Sequence, residues 1–182
     1  MSTKELKQRW ENIFNEASDL LYNGLKEGES LNINFSAEET DFIRLNNAKV
    51  RQASTVEQGE LALELHYGQK KSELGVPLSL SSEQNKELLA KSIKRLQEEV
   101  RSLPDDPFLS PMTNEGESHT QMEGNLPGTD NFVKATVEAC NGSDLAGYLT
   151  SGTSMRANSN SLGQKHWFAS DSFFFDYSLY SA

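Results

Sequence analysis

Residues Ala157–Tyr180, ANSNSLGQKHWFASDSFFFDYSLY, decide how the rest of the chain is read. In the second half, Trp167, Ala169, Phe173, Phe175, Tyr177 and Leu179 fall on one face, with Asp171 the single polar intruder. Phe168, Ser170, Ser172, Phe174, Asp176, Ser178 and Tyr180 fall on the other. Side chains of a strand alternate between faces with period two, so this is a β-strand with one apolar and one mixed face. The polar run Asn158–Ser161, ending in Leu162-Gly163, has the composition that turns a chain between two strands.

Working backwards, Leu145–Thr150 is a short strand carrying Gly147. Before it, Thr129 or Asp130 can cap a helix with Phe132, Val133, Thr136, Val137 and Cys140 inward and Asn141-Gly142 as its stop. The segment Pro104–Gly128 holds four of the five prolines, three glycines, five acidic residues and no basic one. Such a composition buries too little apolar surface to offset ordering entropy, so it reads as a linker or long loop.

The first hundred residues follow a simpler pattern. Ser2 and Glu5 have capping-box spacing, and Leu6, Trp10, Ile13, Phe14, Ala17, Leu20 and Leu21 form one helical stripe that ends at Asn23-Gly24. Strands are expected over Leu31–Phe35, Asp41–Leu45 and Val50–Val56, the last two flanking a hairpin at Asn46-Asn47. Leu61–Tyr67 alternates cleanly, and Leu74–Leu80 alternates around Pro77, whose missing N–H places that strand at an edge. A second helix starts at Ser81, with Gln84 as capping-box partner, buries Leu89, Ile93, Leu96, Val100 and Leu103, and ends at Pro104. The expected fold is α+β. An antiparallel sheet flanked by helices occupies 1–103, 104–128 is an acidic Pro/Gly-rich linker, and 129–182 starts a second small α+β region.

Composition bounds the function. At 182 residues with 36% hydrophobic and 24% charged side chains, the chain is an ordinary globular mixture. A net charge of −10 is the wrong sign for displacing counterions from a duplex, so no direct nucleic-acid partner is expected. The lone Cys140 excludes an internal disulfide and fits a reducing compartment. No apolar run approaches a membrane span and the N-terminus is a polar helix, so the expected location is the cytoplasm.

Three stretches also carry a family resemblance. The run A-N-S-N-S-L at Ala157–Leu162 with its aromatic strand, R-L-N-N-A-K-V-R-Q-A at Arg44–Ala53, and L-P-D-D-P-F at Leu103–Phe108 resemble the PmbA/TldD family, two-subunit metallopeptidases once described as modulators of DNA gyrase. Many relatives have an acidic residue after the hairpin where Gln52 stands here, so nothing catalytic is carried over to it. The resemblance implies that the aromatic strand continues into a larger β-rich region bearing the metal site, which makes this chain the front part of a longer protein. It implies unfolded peptide as substrate and a TldD-like subunit as partner. It places zinc, held by H-E-x-x-x-H, only in the missing region or in that partner.

The chemistry in the chain itself is sparse. His66, His119 and His166 lie 53 and 47 residues apart and none precedes a Glu, so no local zinc site exists and no cofactor is expected. Gly152-Thr153-Ser154-Met155-Arg156 begins like a nucleophile elbow and fails at Arg156. Cys140 reads as a small buried hydrophobe, and His66 beside Glu64 as a structural residue. No catalytic or metal residue is assigned. Candidate contacts to a peptide or partner are His166, Trp167 and Phe174 on the aromatic strand. Two functions from different classes follow. One is the N-terminal part of a PmbA/TldD-like subunit of a peptidase complex, inactive alone. The other is a noncatalytic module that binds peptides at a sheet edge. Self-association through Phe168–Tyr180 is expected wherever that edge is uncovered.

Overall fold

A computed structural model describes residues 2–140 and 143–180. The expected stop of the third helix, Asn141-Gly142, lies outside the described residues. The elements are α1 (Thr3–Asn23), β1 (Glu29–Asn46), β2 (Lys49–Tyr67), β3 (Lys70–Leu78), α2 (Ser82–Ser102), β4 (Glu117–Met122), α3 (Thr129–Ala139), β5 (Asp144–Asn160) and β6 (Lys165–Tyr180). Among the described residues three helices accompany one six-stranded sheet of order β3-β2-β1-β5-β6-β4, the α+β class that the sequence pattern indicates. Among the described residues no helix is long and apolar enough to cross a membrane.

Strand directions follow from cross-strand partners. β2 and β3 pair antiparallel with Leu61 opposite Val76 and Leu63 opposite Leu74. Along β1 and β5, the Ser161 N–H donates to the Leu31 carbonyl (2.9 Å), Asn158 meets Asn34, and Gly152 meets Glu39 and Thr40. Partners descend in one strand as they rise in the other, so this pair is antiparallel too. β4 differs. The Lys165 N–H donates to the Gly116 carbonyl, Ser118 bonds His166, and the Gly124 N–H donates to Asp171, so β4 and β6 advance together and run parallel. The stretch read as a linker therefore contributes an edge strand, and its parallel pairing makes the whole sheet mixed, while the strands of 1–103 keep the antiparallel pairing expected of them. Five consecutive exposed polar residues, Glu117–Gln121, hide this strand from any periodicity test. Backbone bonding alone places it.

Several elements are longer than their apolar patterns. The two strands expected before the first hairpin are one, as are the two after it, because ladder hydrogen bonds continue through polar residues such as Ser36–Thr40. The turn falls one residue later than expected, on Asn47 and Ala48, with φ of 51° and 49°. Pro77 does sit on an edge strand.

The chain forms two compact units that are not consecutive in sequence. The first comprises Met1–Ala37, Gln58–Gln121 and Met155–Phe168; the second comprises Glu38–Glu57, Met122–Ser154 and Ala169–Ala182. In the first, α1 starts with the predicted capping box: the Glu5 N–H donates to Ser2 Oγ, and the Ser2 N–H donates to the Glu5 carboxylate (2.8 Å). Its stripe buries Leu6, Trp10, Ile13, Phe14, Ala17 and Leu21 against Leu31, Ile33 and Phe35 of β1 and Leu61, Leu63 and Leu65 of β2. α2 packs on α1 and β3 through Leu89, Ile93, Leu96 and Val100. Ser81 makes no side-chain cap; the chain entering α2 is tied instead by Ser79, whose hydroxyl donates to the Gln84 side chain while its backbone exchanges bonds with the Asn85 carboxamide.

In the second unit, α3 lays Phe132, Val133, Val137 and Cys140 over Ile43, Leu45, Leu145 and Leu149. Neither expected residue caps it. Gly128 stands at the N-cap, and the Thr129 hydroxyl donates to Asp41 (2.9 Å). Asp171, the polar intruder on the apolar face of β6, accepts from the buried Thr153 hydroxyl (2.7 Å) and from the Gly124 N–H. Beyond it the aromatic face is only partly covered: Phe175 packs under Phe132, while Phe173, Tyr177 and Leu179 stay half exposed.

Candidate functional site

The Ala-Asn-Ser run of β5 divides its side chains between the two faces of the sheet in the first unit. Ala157 and Ser159 point to the helix side, where the Ser159 hydroxyl meets the Tyr22 hydroxyl (2.6 Å) and that of Ser18 (3.3 Å). Burial pushes the Tyr22 phenol up to about 12, against the opposing bond from Ser159. Asn158 points the other way. Its amide donates to Asn34 Oδ1 (2.8 Å) and Asn32 Oδ1 (3.0 Å), and its carbonyl oxygen accepts from the Gln164 amide. One carboxamide thus ties β5 to β1 and to the β5–β6 turn.

Asn158 is part of the floor of an open depression of about 700 Å³. Polar positions of five neighbouring strands line it: Glu60 on β2, Asn34 and Ser36 on β1, Arg156 and Asn158 on β5, His166 on β6, and Ser118 and Thr120 on β4. Phe168 adds an exposed ring. The floor is held rigid by strands instead of loops, since His166 Nδ1 also bonds the Ser118 hydroxyl (2.8 Å). Arg156 is exposed and forms no hydrogen bond or ion pair among the described residues.

The three contacts proposed from sequence fall in different places. His166 lines the depression. Trp167, one residue on, turns to the helix side, is 3% exposed, and stacks on Phe35 at 5.9 Å. Only its margin reaches the depression, so Trp167 is a core residue. Phe174 belongs to the second unit, where it continues a row of rings with Tyr148 (5.8 Å) and Phe42 (6.1 Å from Tyr148). In the sequence Arg156 stands out only as the residue at which the nucleophile-elbow pattern fails. Its alternation with Met155 and Ala157 is the signal that puts it on the open face.

Other chemistry-bearing residues are engaged structurally. Ser154 lies within β5, so the strand-to-helix turn of a nucleophile elbow is absent there. His66 is buried, with Nε2 2.6 Å from Glu64. Among the described residues no three His, Cys, Asp or Glu side chains come together in a way that could hold a metal ion.

Neither a family model nor a curated protein matches the sequence. Solved structures do. TldE from Thermococcus kodakarensis matches with a TM-score of 0.63 and 13% identity over 96% of this chain and 43% of that one. A protein described as a modulator of a DNA gyrase from Thermotoga maritima matches at 0.61 and 14% over 91% and 43%. Another, from Bacteroides thetaiotaomicron, matches at 0.59 and 12% over 93% and 40%. This chain thus spans less than half the length of each of these structures, and what it shares with them is the fold of a portion of TldE and of the DNA gyrase modulators, the group that its Asn-Ser run and aromatic strand resemble.

Proposed function

We propose that this chain is the N-terminal part of a PmbA/TldD-like subunit, which holds unfolded peptide for a cytoplasmic metallopeptidase complex whose metal site lies in further sequence or in a TldD-like partner. The observation that carries the reading is the open depression of about 700 Å³ over β2, β1, β5, β6 and β4, whose donors and acceptors sit on strands. Zinc chemistry belongs elsewhere in this scheme, since His66, His119 and His166 are each engaged with separate partners.

The purified chain is expected to bind reduced, carboxymethylated α-lactalbumin saturably, to release no cleavage products from it, and to take up no stoichiometric zinc by calorimetry. Absence of binding overturns the peptide-holding role. Cleavage by the chain alone, or one-to-one zinc uptake lost on changing His66 or His166, overturns the division of labour.

A second reading, a noncatalytic module that binds by strand addition, draws on β6. With β4 ending at Met122, opposite the start of β6, the outer edge of β6 past Asp171 has no strand beside it among the described residues. Phe173, Phe174, Tyr177, Leu179 and Tyr180 are each more than half exposed there. Such an edge is a template for pairing, and the same feature supports self-association of this chain. Sedimentation velocity should show a concentration-dependent rise in mass, weakened by Phe174→Lys, which adds charge to an exposed ring position without emptying the core. A monomer at every concentration rules out association through this edge.

A further inference from the structure

We infer that the depression in the first unit is a carboxylate site, with Arg156 as the anchor for a carboxylate carried by the bound peptide. This deepens the peptide-holding reading above and rests on it.

Four of the polar groups lining the depression, Asn34, Asn158, His166 and Ser118, are committed to one another or to Gln164. Asn158 spends both amide hydrogens on β1 and its oxygen on Gln164, Asn34 accepts from Asn158, and His166 pairs with Ser118. Arg156 has no partner among the described residues, so its five N–H donors stand unused in a concave, half-apolar setting beside Phe168. A planar guanidinium with open donors matches a carboxylate bidentately.

Charge decides between anions. Phosphate and nucleic-acid sites gather several cations or a helix N-terminus. Here one arginine faces the depression, Glu60 lines the same hollow, and the chain carries −10 overall, so a single negative charge is the most that the site accommodates. A monoanionic carboxylate fits. It can come from a peptide C-terminus or from an acidic side chain, and both present the same two oxygens.

The test uses three N-terminally dansylated peptides of one neutral sequence: the free acid, the C-terminal amide, and the amide with a single Glu replacing an internal Ala. Fluorescence anisotropy is expected to show at least one carboxylate-bearing peptide binding about tenfold more tightly than the neutral amide, the gain of a charge-assisted bond. Tight binding by the free acid alone identifies the C-terminus as the source; tight binding by the Glu amide identifies the side chain. Arg156→Gln should bring the carboxylate peptides down to the affinity of the amide and leave the amide unchanged. Arg156→Lys should retain part of the difference, as a charge without the fork. Neither variant should lower the melting temperature, because Arg156 has no partner to lose. Equal affinity for acid and amide, or an equal loss for all three peptides in Arg156→Gln, overturns the carboxylate site while leaving peptide holding intact. No binding by any of the three overturns both.

Discussion

Trp10→Ala should lower the unfolding free energy by about 3–5 kcal/mol, the usual cost of truncating a fully enclosed aromatic. Trp10 is 1% exposed and lies between α1 and the sheet, with its ring 5.8 Å from that of Phe35. Its seat is made by a missing side chain. A Cβ added at Gly59 would come within 2.4 Å of Cη2 and 2.5 Å of Cζ3 of the indole, so β2 approaches α1 only because position 59 is glycine. Whole domains are stable by only about 5–15 kcal/mol, which makes this one cavity a large fraction of the total. The indole Nε1 is buried without a hydrogen-bond partner among the described residues, so its polar atom contributes nothing favourable. Trp10→Phe should therefore retain much of the stability that Trp10→Ala loses. Urea unfolding followed by circular dichroism checks the pair. A loss below about 1 kcal/mol for Trp10→Ala would mean that the site collapses around the deletion and that the ring cluster is not the keystone of this unit.

The second large effect is expected at Glu29. Its side chain is wholly buried at the start of β1, yet it faces three donors: the Lys26 N–H (2.8 Å), the Gln97 amide (2.7 Å) and the Arg101 guanidinium (2.7 Å). Arg101 itself lies over the Tyr67 ring at 4.9 Å and donates to the Gln97 carbonyl, so it is held in place from three sides. Burial alone would raise the Glu29 pKa, but the Lys26 N–H, Arg101 and Gln97 outweigh it and hold the carboxyl below its ordinary 4.5. Arg101→Met leaves a buried carboxylate with two donors instead of three. Breaking a buried pair costs about 3–5 kcal/mol; the surviving bonds and the partial exposure of Arg101 bring the expectation to about 2 kcal/mol.

The pH dependence has a definite sign. The folded-state pKa of Glu29 is lower than the unfolded one, so as pH falls the unfolded chain takes up this proton first. The stabilisation is complete above the ordinary value of 4.5 and disappears as pH drops through the depressed folded value. Glu5, Glu73 and Glu87 are lowered as well, each by a local hydrogen bond, so the acid slope of the wild type is a sum. The difference between wild type and Arg101→Met isolates Glu29. Removing the guanidinium should move the onset of acid destabilisation to higher pH, read from urea midpoints over about pH 3–6. Parallel curves for the two proteins would show that Arg101 packs on Tyr67 without supporting the carboxylate.

Local pattern made much of this protein legible. The stripe and capping box of α1, the α2 stripe, the alternation in β2 and β6, and the edge position of Pro77 all depend on residues within one or two turns of each other. Periodicity reports which face of an element is apolar, and in the first unit that face is indeed the buried one. The Ala-Asn-Ser run was also readable as a signal, although its use was not: Ala157 packs inward, Asn158 ties two strands and Ser159 receives the hydroxyl of Tyr22.

What only the tertiary structure decided depends on partners far apart in sequence. β4 exists because Gly116–Gly124 lies beside β6, and its own composition is that of a loop. Phe173, Phe175, Tyr177 and Leu179 alternate as a core face should, yet the eleven-residue α3 reaches only Phe175 and the margin of Phe173 through Phe132, and Phe173, Tyr177 and Leu179 stay half exposed. Trp167 and His166 were paired as contacts because they are neighbours in sequence; in a strand, neighbours point apart, and one became core while the other joined the depression. Arg156 is the clearest case. Its charge was plain in the sequence, but an arginine becomes a binding group only when the surrounding polar side chains have satisfied one another and left it without a partner. That condition is set by Asn34, Ser118, Asn158, Gln164 and His166, from four strands and a turn, and no window of sequence contains them all.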